Sequence, residues 1–435
     1  MACNVRVQAK AENEGGCMGK VLAMILAGGR GRRMDILCHE RPKPALPFAG
    51  RFRIIDFSLS NCAHSEINSV VVLADYQGAS MANYLRRWCF TNASPDSFHI
   101  LQPKSGYYIA TADAVYQNLD FLHRYGAEVV LILAGDHVYR MDYRKMLAFH
   151  KQVKADVTMG VVSVPIEQAH RFGVATIDAK GKVLDFVEKP RIPRGNLASM
   201  GIYVFNRRVL LERLIEDAAQ PDSTHDFGYT IIPGMVNRDK VFAYKFDGYW
   251  QDIGTIDAYY EANMSLTRQP PLFNLDGAWP ILTEKNDLLL PRESQTGTVK
   301  NSFVGPSCVV KGHVENSILS PDVRVDDQAV VRDSVLMAGA HVGTHSMVEY
   351  CILDEGVSIG ELCYIGVGTT PMPAKGDVTV LGKDVTVPPC TVISRNCRIL
   401  PHTRPTDFIT NAIPGCYRFA SPSTSLYSAL AKEKG

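Results

Sequence analysis

Apolar runs that do not alternate punctuate the first part of the chain: VLAMILA (21–27), SVVVLA (69–74), EVVLILA (128–134) and DVTMGVVSV (156–164). Between them lie mixed stretches with apolar residues at helical spacing, such as TADAVYQNLDFLHRY (111–125) and DYRKMLAFHKQV (142–153). Strands that are apolar on both faces and separated by helices predict an α/β unit with a mainly parallel sheet covered on both sides. Ligands of such sheets bind at the carboxyl ends of the strands.

From Met264 the texture changes. The stretch RQPPLFNLDGAWPILTEKNDLLLPRESQTG (268–297) carries prolines and little periodicity, and reads as a linker. Beyond it ENSIL (315–319), RDSVL (332–336) and EYCIL (349–353) recur at a step of 17 residues. Cys308, Val325, Val342 and Ile359 form one column at that step. Val314, Val331, Val348 and Ile365 form a second, and Ile318, Val335 and Ile352 a third. Leu381, Val387, Ile393 and Ile399 step by six. Short strands at six-residue spacing, three to a coil, predict a β-helix. Its expected role is a surface for oligomerisation and for contact with the first domain. His313, His341, His345 and His402 are read as corner residues on its surface rather than as the base of a second catalytic site.

Composition narrows the classes. The chain has 435 residues, 46% hydrophobic and 21% charged, which suits two globular domains. A formal net charge of +1 gives no bulk attraction to nucleic acid or to an anionic membrane, so neither is predicted as a partner. The 11 cysteines are scattered without a CxxC pair and read as reduced thiols of a cytoplasmic protein. The polar opening MACNVRVQAKAENEGG predicts no signal peptide, and no apolar run reaches membrane-spanning length.

Candidate chemistry clusters where the predicted strands end. LAGGRGRRM (26–34) follows the first strand. Its Gly28, Gly29 and Gly31 leave backbone N–H groups approachable by an anion, and Arg30, Arg32 and Arg33 add charge. RPKPALPFAGRFRIIDFSLSN (41–61) holds Lys43 between two prolines, which stiffen its presentation. LILAGDHVYRMDY (131–143) ends a strand in Gly135-Asp136, FVEKP (186–190) pairs Glu188 with Lys189, and YWQDIGTIDAYYEAN (249–263) offers Asp252. Taken singly, these also fit a surface turn, an exposed lysine, a helix-capping aspartate, a salt bridge and an N-cap. Together they are equipment for phosphoryl or nucleotidyl transfer: a phosphate nest, lysines, and carboxylates of the kind that bind Mg²⁺.

Over about residues 20–410 the chain resembles the bacterial glucose-1-phosphate adenylyltransferases, also called ADP-glucose pyrophosphorylases. The resemblance rests on AGGRGRRM, RPKPALPFAG, RIIDFSLSN, YYIATADAVYQN, LAGDHVYRMDY, FVEKP, LASMGIYVF, THDFG and YWQDIGTIDAYYEAN. It implies a Rossmann-like nucleotidyltransferase domain followed by a left-handed parallel β-helix of hexapeptide repeats. The boundaries expected are a flexible segment 1–19, the nucleotidyltransferase domain 20–265, a linker 266–297, the β-helix 298–410 and a tail 411–435. The implied reaction joins ATP and glucose 1-phosphate to give ADP-glucose and pyrophosphate, with Mg²⁺ as cofactor, on the way to glycogen.

The resemblance also assigns residues. Arg33, Lys43 and Asp136 are expected to be catalytic. Leu26, Ala27, Gly28, Gly29, Arg30, Gly31, Arg33, Lys43, Gly135 and Asp136 are expected to bind the nucleotide. Tyr108, Gly173, Glu188, Lys189, Ser199 and Asp252 are expected to hold glucose 1-phosphate, and Asp136 and Asp252 the metal. A homotetramer controlled by allosteric metabolites is implied, with Arg41 and Arg53 at the regulatory site. Glu40 stands where some relatives carry a lysine, and predicts a weak response to a doubly phosphorylated sugar. The chain departs from the family pattern at Arg32, Met34 and Ala110, in DYQ (75–77), and in the short loop HILQPKSGYY (99–108) without paired glutamines. That loop lies near the base, so UTP, dTTP or GTP are alternatives to ATP. A silent regulatory subunit is a further alternative, which the retained Arg33, Lys43, Asp136 and Asp252 disfavour.

Overall fold

The computed structural model describes residues 20–29, 31–75, 78–93, 97–275, 277, 279–284, 296–368, 376–415 and 418–419. The expected flexible segment 1–19, Arg30 and most of the expected tail lie outside the described residues.

The first part of the chain folds around a nine-stranded sheet. Its strands are β1 (Val21–Leu26), β2 (Val70–Leu73), β3 (Phe98–Leu101), β4 (Val129–Ala134), β5 (Val157–Ser163), β6 (Gly173–Ile177), β7 (Val183–Glu188), β8 (Leu197–Asn206) and β9 (Val241–Phe246). β1 is central. It pairs in parallel with β2 and β4, and β2 pairs in parallel with β3. β5 and β9 are also parallel. The remainder is antiparallel: β6 and β7 form a hairpin, and β8 runs against β4, β5 and β6. The hairpin is set by the turn 178–181, where the Asp178 carboxylate accepts the N–H groups of Lys180 and Lys182, each at 2.8 Å. The unbroken apolar runs are explained by burial on both faces. Leu22 and Met24 enter one core with Val71, Leu73, Val130 and Ile132. Ala23 and Ile25 enter the other with Val72, Leu131 and Leu133.

The helical stretch 111–125 is two helices, Thr111–Tyr116 and Leu119–Tyr125. They part at Asn118, whose side-chain amide donates to the Ala114 carbonyl at 2.8 Å and to the Tyr108 hydroxyl at 3.1 Å. Asp142 caps the helix Tyr143–Val153, with the N–H of Arg144 3.0 Å from its carboxylate.

From Thr298 the chain winds into a prism of three parallel sheets, as in a left-handed β-helix. Corners are turned by residues in the left-handed region, stacked coil on coil: Asn316, Asp333 and Tyr350 at one, Gln328, His345 and Leu362 at another. Inside the corner that follows Glu315, Arg332 and Glu349, hydroxyls stitch neighbouring coils. The N–H of Ser334 donates to Ser317 Oγ at 3.1 Å, and that of Cys351 to Ser334 Oγ at 3.2 Å.

One detail of the repeat is corrected and one is added. Val325 pairs with Val310, not Cys308, because the first coil is two residues short and steps by 15. Cys308 is buried in the same core beside that column. The third column, Ile318, Val335 and Ile352, points outward. With Val380 it packs against Phe48, Phe52, Phe57 and Tyr259 of the first domain, while Leu319, Leu336, Leu353 and Leu381 fill the prism. The sheet that carries both sets is therefore dry on its two faces.

Candidate active site

A cleft of about 360 Å³ opens above the carboxyl ends of β1 and β4. Leu26 ends β1 at its wall, and Ala27 is buried behind it. Gly29 and Gly31 both take positive φ, 98° and 55°. At Gly31 a Cβ would lie 2.9 Å from Cys38 Sγ, so the turn needs glycine on conformation and on space. At Gly135 a Cβ would lie 2.9 Å from the Leu26 carbonyl, because β4 passes close to the loop.

The charged centre of the cleft comes from three separate parts of the chain. Lys43, in a short 3₁₀ turn, places Nζ 2.7 Å from Asp136 Oδ2 and 3.5 Å from Asp252 Oδ1. Asp136 lies between β4 and the strand His137–Tyr139, which pairs antiparallel with Trp250–Asp252. That two-stranded ribbon brings Asp252 opposite His137. Asp252 is not the cap of the following helix; Thr255 is, through its hydroxyl and the N–H of Ala258. Nor does Asp136 cap a helix. Burial works against charge on both Asp136 and Lys43. The ammonium and His137 nevertheless hold the Asp136 carboxyl down to about 2, and the two carboxylates raise the Lys43 pKa. Arg33 lines the same cleft.

The donor set fits a divalent cation. Atoms of Asp136, His137 and Asp252 lie within 4.8 Å of one another. Trp250 Nε1–H points at His137 Nδ1 at 3.3 Å, and His137 Nε2 faces Asp136 and Asp252 at 3.5 and 3.6 Å. The carboxylate oxygens are the hard ligands suited to Mg²⁺, with His137 beside them.

At the other end of the cleft, Glu188 ends β7 and Lys189 follows it, with Oε1 and Nζ 3.1 Å apart. Burial raises the Glu188 pKa, and Lys189 partly offsets this. Lys189 has φ 47°, a left-handed conformation that aims it back beside its neighbour. Gly173 and Gly228 give Glu188 room: a Cβ on either would come within 2.6 Å of Oε2. Ser199, on β8, completes this end.

Of the expected site residues, Ala27, Gly28, Gly29, Gly31, Gly135 and Tyr108 lie outside the immediate lining of the cleft, and Arg41 and Arg53 lie elsewhere. Tyr108 packs against the loop after β1: its N–H donates to Asp75 Oδ2 at 3.2 Å, and a Cβ on Gly28 would touch both Asp75 and Tyr108. Arg41 is buried, with its guanidinium on Asp354 and, at 3.0 Å, on Glu355 of the β-helix. Arg53 donates to the Ala45 carbonyl at 2.7 Å and lies over the Tyr84 ring. Glu40 pairs with His402 of the β-helix. Residues that sequence reasoning missed are His137, Trp250, Tyr203 and Asp226, all lining the cleft. Asp226 accepts the N–H groups of Gly228 and Tyr229 and the Thr111 hydroxyl. His137 follows Asp136 directly in GDH, and Trp250 stands two residues before Asp252 in YWQD.

A glycine-rich loop after β1, a lysine between two strand-end carboxylates and a second charged pair across one cleft define a nucleotidyltransferase. The family model for nucleotidyl transferases matches residues 22–269, and that for the GlmU-like C-terminal hexapeptide matches residues 288–387. Among curated relatives, a glucose-1-phosphate adenylyltransferase of Acetivibrio thermocellus is 40% identical over 432 residues, covering 96% of this chain and 98% of its own. Those of Fervidobacterium nodosum and Thermomicrobium roseum are 41% and 43% identical, covering 88% and 91% of this chain and 94% and 97% of their own. The chain belongs to the glucose-1-phosphate adenylyltransferase family.

Proposed function

We propose that this chain converts ATP and α-D-glucose 1-phosphate into ADP-glucose and pyrophosphate, the committed step of glycogen or α-glucan synthesis. The observation that carries the reading is Lys43 held between Asp136 and Asp252, across one cleft from Glu188 and Lys189. Lys189 and Ser199 hold the sugar phosphate, and Glu188 accepts sugar hydroxyls. Arg33 and the N–H groups of the Gly28–Gly31 loop receive the triphosphate. An oxygen of the sugar phosphate attacks the α-phosphorus in line, and the bond from that phosphorus to the β-phosphate bridging oxygen breaks. Lys43 meets the charge that develops on the departing pyrophosphate. Asp136 and Asp252 would hold Mg²⁺, which neutralises phosphate charge when bound.

Sheet order supports the direction in which the nucleotide lies. The sugar end lies over β6, β7 and β8, on one side of β1, whereas Asp75 and Tyr108 follow β2 and β3 on the other. A nucleotide with its phosphates at the loop therefore has its base toward Asp75. A carboxylate only accepts hydrogen bonds, so it favours a base with an exocyclic amino group, as adenine has, over uracil.

The division 20–265, 266–297 and 298–410 is the domain proposal, with the β-helix carried beyond the expected boundary at 410 by Ala412–Ile413 and Arg418–Phe419, which pair in parallel with the preceding coil. A cytoplasmic homotetramer regulated by metabolites is the wider proposal; among the described residues no helix is long and apolar enough to cross a membrane. The deciding experiment is pyrophosphate release from a panel of nucleoside triphosphates and sugar 1-phosphates with Mg²⁺. ATP with glucose 1-phosphate should be the best pair. Preference for UTP, dTTP or GTP would replace the substrate and keep the chemistry, and inactivity without a second polypeptide would make this a regulatory subunit.

A further inference from the structure

The short segment that carries Lys43 is fastened at both ends. On the active-site side, the phosphate loop, Cys38 and Lys43 are packed together: a Cβ on Gly31 would lie 2.9 Å from Cys38 Sγ and 3.5 Å from Lys43 Cβ. On the other side stands Arg41, two residues from Lys43 and separated from it only by Pro42. Pro44 follows, so φ is fixed on either side of the lysine. Arg41 Nε donates to the Leu37 carbonyl at 3.2 Å, closing the segment 37–41 into a loop. Its two terminal nitrogens leave the domain altogether. One reaches Asp354 and the other Glu355, on a corner of the β-helix.

That corner is itself rigid. The N–H of Asp354 donates to the Leu381 carbonyl of the next coil at 3.0 Å, and Asp354 Oδ1 accepts the N–H of Glu355 at 2.6 Å. Lys383 holds Glu355 from the other side at 3.7 Å. Arg41 and Asp354 are both buried, 7% and 1% exposed, so neither can exchange its partner for water. A planar guanidinium gripped by two carboxylates fixes direction as well as distance.

We propose that Asp354 and Glu355 are positioning residues for the transferase reaction: acting through Arg41, they hold Lys43 and the phosphate loop in the geometry that the reaction needs. The β-helix then supplies part of the catalytic alignment without touching substrate. This rests on the reading of Lys43 as the group that meets pyrophosphate.

The test uses the full-length protein and three measurements: steady-state pyrophosphate release, thermal melting, and backbone hydrogen exchange. Asp354→Asn/Glu355→Gln should lower kcat by at least about tenfold, since small misplacements of a catalytic group cost up to about a hundredfold. KM for both substrates should stay within about twofold. Exchange should quicken within residues 31–46, at amides such as Met34, Ala45 and Leu46 that close local turns, and nowhere else. Arg41→Met/Asp354→Leu replaces the buried ion pair by an apolar one, which keeps the domains docked. It should melt like the wild type while kcat stays low.

Recovery of kcat in that apolar variant would overturn the proposal, since the contact would then be packing alone. So would an unchanged kcat in the first variant, or faster exchange throughout the chain. Should the wild type itself release no pyrophosphate from ATP and glucose 1-phosphate, the transferase reading fails. The exchange pattern of the variants still decides whether Asp354 orders the segment.

Discussion

Replacing Lys43 by alanine separates the two lysines of the cleft by their energetic roles. The Lys43 ammonium lies 2.7 Å from Asp136 and 3.5 Å from Asp252. At an effective dielectric near 20, a unit charge at the shorter distance is attracted by about 6 kcal/mol, and by roughly half as much at twice the separation. Turning Lys43 from the carboxylates toward a triphosphate therefore costs a few kcal/mol, which the phosphate charge and a cation on the carboxylates must offset. The lysine is most useful where negative charge is greatest, as pyrophosphate departs. Lys43→Ala should accordingly lower kcat by about 10²–10³, equivalent to about 3–4 kcal/mol, with KM for ATP changed only a few-fold. Lys189, 3.1 Å from Glu188 and half exposed, grips a phosphate present in ground and transition states alike. Lys189→Ala should raise KM for glucose 1-phosphate by about 10–100-fold and leave kcat nearly intact. The assay is pyrophosphate release across both substrate concentrations. A KM effect from Lys43→Ala together with a kcat effect from Lys189→Ala would refute the assignment.

Asp136→Asn should abolish most turnover without lowering the melting temperature, since Asp136 caps no helix; loss of folding would show a structural role instead. Asp75→Asn should narrow the preference for ATP over UTP, read as the ratio of the two kcat/KM values, because a carboxamide can also donate to a carbonyl. Asp56 gives a pH signature. Burial raises its carboxyl to about 7, although the Tyr84 hydroxyl and the Arg53 N–H both donate to it. The native state thus keeps a proton that the unfolded chain releases near pH 4. The associated stability is fully present below about pH 4 and is lost as the pH rises through 7, by up to about 4 kcal/mol. Asp56→Asn should remove that slope from denaturant titrations at pH 5, 6, 7 and 8, and an unchanged slope would assign it to another group.

The strands and the chemistry at their ends were legible because one local rule governs each. A strand buried on both faces must be apolar throughout, and a loop that admits phosphate must be rich in glycine. The antiparallel part was hidden. β8 obeys the same burial rule as β1, and burial does not record direction. The ion pairs of Arg41 and Glu40 were hidden for a related reason. An arginine reads alike whether it awaits a phosphate or is already paired with Asp354, more than 300 positions later. The contact of Tyr108 with Asp75 was hidden because Asp75 follows a neighbouring strand, and only sheet order brings both beside Gly28. In the β-helix, spacing found the columns but not their sense. Ile318 and Leu319 are equally apolar, and only the prism decides which faces in.

The sheet that is dry on both faces ties the fates of the two halves together. Cutting the chain in the proline-rich connection would lay bare Ile318, Val335, Ile352 and Val380 on one fragment and Phe48, Phe52 and Phe57 on the other. Neither fragment would then be a self-sufficient domain, and each would gain an adhesive stripe. Heat should melt the intact chain in one calorimetric event rather than two, with the halves lost together. A lesion deep in the β-helix would then silence chemistry in the other half by unfolding it, with no signal passed between them.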